Sequence, residues 1–335
     1  MPVSSPTSRA PAAEPVRVWM EHGFSRREIA PRMLRATSQL EIVSSTRQPV
    51  EGTEALDFPS AGTADAIGRI NSTIRAHAID AVWVQDSARY DLSAIEADVH
   101  AAADPKTIRL VDDKTAFNEW LGKDAYRPFS LEAVGVDAIR AAYERRRREG
   151  HEVCIKPVFG VNGEGYWRLS DSSRFSVLNH PDERVIHPEA YLTALTFQEQ
   201  GRRPRRMVLM DYLPGPEVSV DVLMWWGKPL SHAARTKLDS DHQRIESDHE
   251  VVPHARRLAR TLRLHGIVSL QYRRDAAGAW KILEINPRPA GGSVHSDDAG
   301  FAVVADWARL VAGEIGPADV KQHEASVVHT KRVRT

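Results

Sequence analysis

Apolar positions in residues 16–112 come in short runs, VRVWME, LEIVSST, AVWVQD and TIRLVDD. Between them, the stretches around 26–36, 63–77 and 91–103 have helical spacing. Short apolar runs alternating with amphipathic segments predict strands and helices of a small parallel α/β sheet. A helix is expected to begin at Asp113 and reach Leu121. Another, IRAAYERRRREGHE, leads into the strand EVCIKPV; its four consecutive arginines, 145–148, read as a solvated helix end. From residue 152 the period changes. EVCIKPV, EGYWRLS, RMVLMDYL, EVSVDVLMW, IVSLQYRRD and WKILEIN are strand-like and mostly joined by turns, with helices near 249–264 and 302–312. That grouping predicts α+β rather than a second βαβ array. Residues 1–15 read as a disordered leader, and the polar chain after Gly316 as a loosely held tail.

Composition narrows the classes. The chain has 335 residues, 42% hydrophobic and 27% charged, enough for two or three domains. Lysine plus arginine and aspartate plus glutamate each count 45, so no net charge draws it toward nucleic acid or a membrane surface. No apolar run approaches the roughly 20 residues that span a bilayer. One cysteine, Cys154, excludes an intramolecular disulfide framework and a thiolate zinc site, and fits a reducing cytoplasm. It sits in a strand and reads as a small core residue.

Candidate chemistry lies in the polar positions that interrupt the strands. In EINPRPAGG, residues 284–292, alternation puts Glu284, Asn286 and Arg288 on one face. If the preceding turn centres on Ala277–Gly278, Gln271 falls opposite Glu284. Oxygen donors without nitrogen or sulfur favour Mg2+; a polar solvent face of a two-layer sheet is the other reading. In KPVFGVNGEGYWRL, residues 156–169, Lys156 precedes Gly160, Gly163 and Gly165. No Lys-Ser/Thr follows, and no helix follows, which excludes a Walker loop and a dinucleotide fingerprint. Such a turn can lay its N–H groups over phosphates; it equally suits a plain hairpin with a surface lysine. In VLMDYLPGPEVSVDVL a strand breaks at Pro-Gly-Pro and resumes at Glu217. The break offers backbone to an adenine edge and Glu217 to ribose hydroxyls, or is simply a bulged edge strand.

Three further stretches are less specific. Glu21, His22 and Ser25 follow the first strand, where open parallel sheets bind ligands; Ser25 with Glu28 also makes a helix capping box. In AGGSVHSDD the amides of Gly291, Gly292 and Ser293 could cradle a substrate carboxylate, with His295 nearby. His242 and His249, seven apart in residues 239–250, make a poor metal pair, and this segment reads as a mobile flap.

The order KPVFGVNGEG, MDYLPGPEVSVD, a Gln-bearing strand and LEINPRP, preceded by DDKTAFNEWL, resembles the ATP-grasp superfamily over residues 112–312. Residues 16–111 are similar to its pre-grasp domain. Trp19, HGFS and the VNGEGYW loop resemble a branch encoded near tellurite-resistance genes. The resemblance implies an α/β pre-grasp domain (16–111) plus α+β ATP-grasp domains: a linker helix and lid (112–215) and a C-terminal subdomain (216–318), followed by a tail (319–335). It implies that Lys114 and Lys156 contact ATP phosphates under the glycine loop of Gly163 and Gly165. Met210, Asp211, Tyr212 and Leu213 would form the adenine hinge, with Asp211 where a glutamate is commoner, and Glu217 would hold ribose. Gln271, Glu284 and Asn286 match the metal ligands, for two Mg2+ with Mn2+ able to substitute; Gln271 stands where other members carry Asp or Glu. Arg288 matches the arginine beside the transferred phosphoryl, with Arg235 and Lys237 as further γ-phosphate partners. The implied activity is a cytoplasmic carboxylate–amine ligase working through an acyl phosphate, with ATP and Mg2+ held between the two ATP-grasp subdomains. A small-molecule kinase and a nucleotide-binding regulator are its rivals, and a homodimer is expected.

Overall fold

Five parallel strands form the first sheet: β1 (Val16–Met20), β2 (Leu40–Ser44), β3 (Glu54–Ala55), β4 (Ala81–Val84) and β5 (Asp98–Ala101), in the order β3-β2-β1-β4-β5. These come from a computed structural model, which describes residues 14–21, 28–45, 50–85, 87–160, 163–173, 176–239 and 241–330. Both faces of the sheet are buried, as parallel sheets require. Val18, Met20, Ile42 and Trp83 pack on one side with Met33; Trp19, Val43, Val82 and Val84 pack on the other with Ile70 and Phe58.

One prediction here fails. TIRLVDD is not the last strand but part of the helix Pro105–Asp112, and the strand β5 lies within the predicted 91–103 helix. The cause is local. The Asp104 carboxylate accepts from the Lys106 and Thr107 N–H groups, and Pro105 supplies the fixed φ suited to a first helical turn. Ile108 and Val111, three apart, then bury one face.

The chain divides into two compact units. One contains residues up to Arg109, Pro216–Gln271 and Ile285 onward; the other contains Leu110–Gly215 and Tyr272–Glu284.

The second unit is built on β6 (Ser130–Val134), β7 (Val153–Pro157), β8 (Trp167–Leu169), β9 (Val185–Ile186) and β10 (Arg206–Asp211), ordered β6-β10-β7-β8-β9. β10 is antiparallel to both neighbours, with Val208 opposite Lys156 and Met210 opposite Cys154. On one face Ile155, Met207 and Leu209 pack with Ile139 and Leu192 from the helices Val136–Arg148 and Pro188–Glu199. Cys154, Val158, Val208, Met210 and Leu213 form a smaller apolar patch with Tyr166, Tyr212 and Leu283. Alternation along β7 puts Lys156 on the Cys154 side.

A further sheet, most of whose strands lie in the other unit, consists of β11 (Glu217–Trp225), β12 (Lys228–Lys237), β13 (His242–Glu246), β14 (Gly266–Arg274), β15 (Trp280–Asn286) and β16 (Ser326–Thr330), with the end of β14 and most of β15 falling in the Tyr272–Glu284 segment of the second unit. Its order is β15-β14-β11-β12-β13-β16. Two expectations are corrected. The 239–250 segment is not a flap, because β13 pairs with β12 through Ala234↔Glu246 and Arg235↔Ile245, and Ile245 is fully buried. The tail after Gly316 is not loosely held throughout, because β16 pairs with β13 from His242↔Thr330 to Glu246↔Ser326. Low local hydrophobicity concealed both strands; their pairing supplies the stabilisation.

Candidate active site

In the unit around β6–β10, Asp113 caps the helix Lys114–Leu121, its carboxylate accepting from the Thr115 and Ala116 N–H groups at 2.9 Å. That fixes Lys114 in the first turn. Its Nζ donates to the carbonyls of Val158 (3.2 Å) and Gly160 (2.9 Å), at the root of the glycine loop. Burial holds the Lys114 amine below its ordinary value, and the positive charge of Lys156 adds to this, while Glu284, Asp112 and Asp113 pull it back up. Two ammonium groups in mutual repulsion favour an anion between them.

The loop itself turns on left-handed backbone. Gly163 has φ +67° and Gly165 φ +69°, and a Cβ on Gly165 would meet Pro157 Cγ at 2.8 Å. The Gly163 carbonyl accepts from both Tyr166 N–H, at 3.2 Å, and the Arg184 guanidinium.

At the end of β10, Arg146 donates through Nε and Nη2 to Asp211 at 3.0, 2.6 and 2.7 Å, while its guanidinium lies 3.8 Å over the Phe129 ring. This corrects the solvated reading of the arginine run for one member. Arg146 is 8% exposed; an aspartate at 211 and an arginine one helix away were each visible, but not their pairing. Tyr212 N–H is engaged by the Glu152 carbonyl at 2.8 Å, and the Arg168 and Arg273 guanidiniums lie 4.3 and 5.9 Å from its ring centroid. Gly215 N–H donates to the Arg274 carbonyl. Met210 and Leu213 are buried. Cys154 is buried, and burial pushes its thiol up to about 11, too high for a thiolate nucleophile at neutral pH.

In the unit holding β11 and β12, Val218 pairs with Thr236, which brings Glu217 beside Lys237 at 2.8 Å. Farther along, Arg235 is buried against Asp221. Arg235 Nη1 points at Gly292, where a Cβ would come within 2.4 Å of it; only glycine allows that approach. Ser293 closes the turn before the short helix Ser293–Asp298: its Oγ accepts from Ala290 N–H at 2.9 Å and its N–H donates to the Ala290 carbonyl. Arg288 is 8% exposed and donates to the Pro289 carbonyl at 3.3 Å. Gln271 on β14 and Asn286 on β15 are half-buried, as is Glu284, which belongs to the other unit; Gly291 has open space around it.

Glu21 is placed at the end of β1, buried, with its carboxylate accepting from Gln85 N–H at 2.6 Å. His22 and Ser25 lie outside the described residues.

A lysine at a capped helix start, a glycine turn, a broken β10–β11 connection and a polar strand ending in Pro and two glycines lie on a fold like that of the solved structures described below. More narrowly, residues 203–333 match the family model described as ATP-grasp in the biosynthetic pathway with Ter operon. Among solved structures, N5-carboxyaminoimidazole synthetase from Staphylococcus aureus complexed with ADP superposes with a TM-score of 0.61 at 13% identity, covering 89% of this chain and 77% of that one. The synthase from Aspergillus clavatus, in complex with ADP and 5-aminoimidazole ribonucleotide, gives 0.61 at 16%, covering 94% and 81%. A biotin carboxylase from Campylobacter jejuni in a beta-gamma-ATP complex gives 0.59 at 14%, covering 90% and 72%. The large chain of carbamoyl phosphate synthase from Clostridium perfringens is 24% identical over 226 residues, 62% of this chain. This chain spans only 19% of that protein's length. No helix among the described residues is long and apolar enough to cross a membrane.

Proposed function

We propose that the chain is an ATP-dependent carboxylate–amine ligase. The observation that carries this reading is Lys114, anchored on the carbonyls at the root of the glycine loop and sharing its field with Lys156 and Glu284. Two cations and a carboxylate at one glycine turn suit a metal–triphosphate, in which anion and cation alternate.

In this reading Lys114, Lys156 and the 163–165 loop hold the phosphates, the backbone of 210–213 reads adenine, and Glu217 holds ribose. The oxygens of Gln271, Glu284 and Asn286 fit Mg2+, which supplies neutralisation of the charge that develops on the phosphates. Arg288 stabilises the transferred phosphoryl, with Arg235 and Lys237 supporting it. A substrate carboxylate oxygen attacks the γ-phosphorus as the bond to ADP breaks, giving an acyl phosphate. An amine then attacks the acyl carbon, the carbon–oxygen bond breaks, phosphate leaves and the amine loses a proton. No side-chain nucleophile is required, which agrees with the buried thiol of Cys154. The carboxylate is assigned to the loop of Gly291, Gly292 and Ser293, with Glu21, His22 and Ser25 lining the same substrate. Two bound Mg2+ ions, a homodimer and a cytoplasmic setting complete the proposal.

An ADP-release screen over paired carboxylates and amines, with Glu284→Ala as the blank, tests it. ADP that appears only when both substrates are present supports the ligase. A stable phosphorylated product without amine identifies a kinase, and Mg2+-ATP binding with no ADP from any pair identifies a regulator.

A further inference from the structure

Behind the AGGS turn, the Ser293–Asp298 helix carries His295 and Asp298, and β16 brings His329 to meet them. One nitrogen of each imidazole and a carboxylate oxygen all lie within 4.8 Å of one another. His295 Nδ1 is 3.7 Å from Asp298 Oδ2, and the two imidazole rings are 5.0 Å apart at 36°. His295 Nδ1 and His329 Nε2 are both buried, and neither has a hydrogen-bond partner among the described residues. An unsatisfied buried nitrogen costs about 1–3 kcal/mol, so two of them in one cluster call for a shared ligand.

We infer that His295, Asp298 and His329 form a binding site for a divalent transition metal, with Zn2+ the ion their donors suit best. Two imidazoles and one carboxylate make a borderline donor set, unlike the all-oxygen set proposed for Mg2+, and they leave a fourth position open. Zinc–ligand bonds of about 2.0–2.2 Å require the donors to draw in by roughly an ångström, within reach of rotamer adjustment. The other Asp298 oxygen is held by the Arg32 guanidinium, which orients the carboxylate as outer partners of metal ligands do. Arg235 does not repel the ion with a full charge, because Asp221 neutralises it. Bound metal would pin β16 to the helix that follows the AGGS turn.

The test uses the full chain, stripped with chelator and dialysed against Zn2+ without nucleotide, so its outcome is independent of the ligase reading. One Zn2+ per chain is expected, with His295→Ala and His329→Ala each lowering affinity at least tenfold while circular dichroism stays unchanged. Co2+ in its place should give visible d–d absorption that both variants abolish. Should His329→Ala fail to fold, His329→Gln, which keeps the bulk without the imidazole, carries the same expectation. No stoichiometric uptake, or uptake that neither histidine variant alters, overturns the site.

Discussion

Arg235 grips Asp221 from the neighbouring strand through two hydrogen bonds, Nε to Oδ2 at 2.7 Å and Nη2 to Oδ1 at 3.1 Å, with both side chains almost wholly buried. Ser296 Oγ adds a weaker contact to the same carboxylate at 3.4 Å. A charge this deep is tolerated only while it is paired. Arg235→Ala should therefore destabilise the protein by about 3–5 kcal/mol, read by urea unfolding. The double change Arg235→Met with Asp221→Leu should recover most of that loss. A loss in Arg235→Ala below about 1 kcal/mol, the value of an exposed pair, would show that the bridge is solvated.

The glycine loop offers a conformational test. Gly165→Ala would add a left-handed alanine, worth about 1–2 kcal/mol, and a collision with Pro157. Gly150→Ala has a similar φ of +84° but nothing within 4 Å, so it reports the backbone cost alone. Thermal unfolding should rank Gly165→Ala below Gly150→Ala, and only Gly165→Ala should weaken Mg2+-ATP binding in calorimetry.

His100 and His265 give a pH dependence. His100 Nδ1 and His265 Nε2 are 3.0 Å apart, and His265 Nδ1 accepts from Trp226 N–H at 3.1 Å. The Trp226 ring stacks on His265 at 3.8 Å, which helps hold Trp226 at its unusual φ of +45°. Burial lowers the His100 pKa from 6.5 to about 4, and burial with His100 beside it lowers that of His265. As pH falls below 6.5 the unfolded chain takes up these protons first, so the stability they contribute is lost toward pH 4. For His100 the loss is about 3 kcal/mol at 1.36 kcal/mol per pKa unit. His100→Asn should flatten the stability–pH curve between pH 4 and 6.5; a parallel curve would disprove the assignment.

Arg146 should matter to nucleotide binding without touching the nucleotide. It fixes Asp211, the residue that ends β10 and opens the 211–213 segment. Arg146→Lys keeps charge but not the two-pronged grip or the stacking on Phe129. We expect a loss of about 1.5–3 kcal/mol in stability and a weaker Kd for Mg2+-ATP by calorimetry. Unchanged affinity would separate this pair from the hinge.

Some of this was written in local spacing. Lys114 after a capping aspartate, Lys156 before three glycines and Glu217 after Pro-Gly-Pro are each recognisable because a short segment fixes its own backbone. TIRLVDD misled because its apolar density suits a strand, while the decisive feature, Asp-Pro ahead of it, belongs to helix initiation. Arg146 misled differently. An arginine in a charged run looks solvated from the chain, and burial beside a distant aspartate distinguishes it from its solvated neighbours.

The order of residues alone established the first sheet's core strands, the glycine turn and the polar face of β15, because each depends on periodicity or turn chemistry within a few positions. The pairings Arg146–Asp211, Arg235–Asp221 and His295–His329, and the strands β13 and β16, were decided by the tertiary structure. They join positions far apart in the chain, and the free energy that orders them exists only once the intervening sheets have brought those positions together.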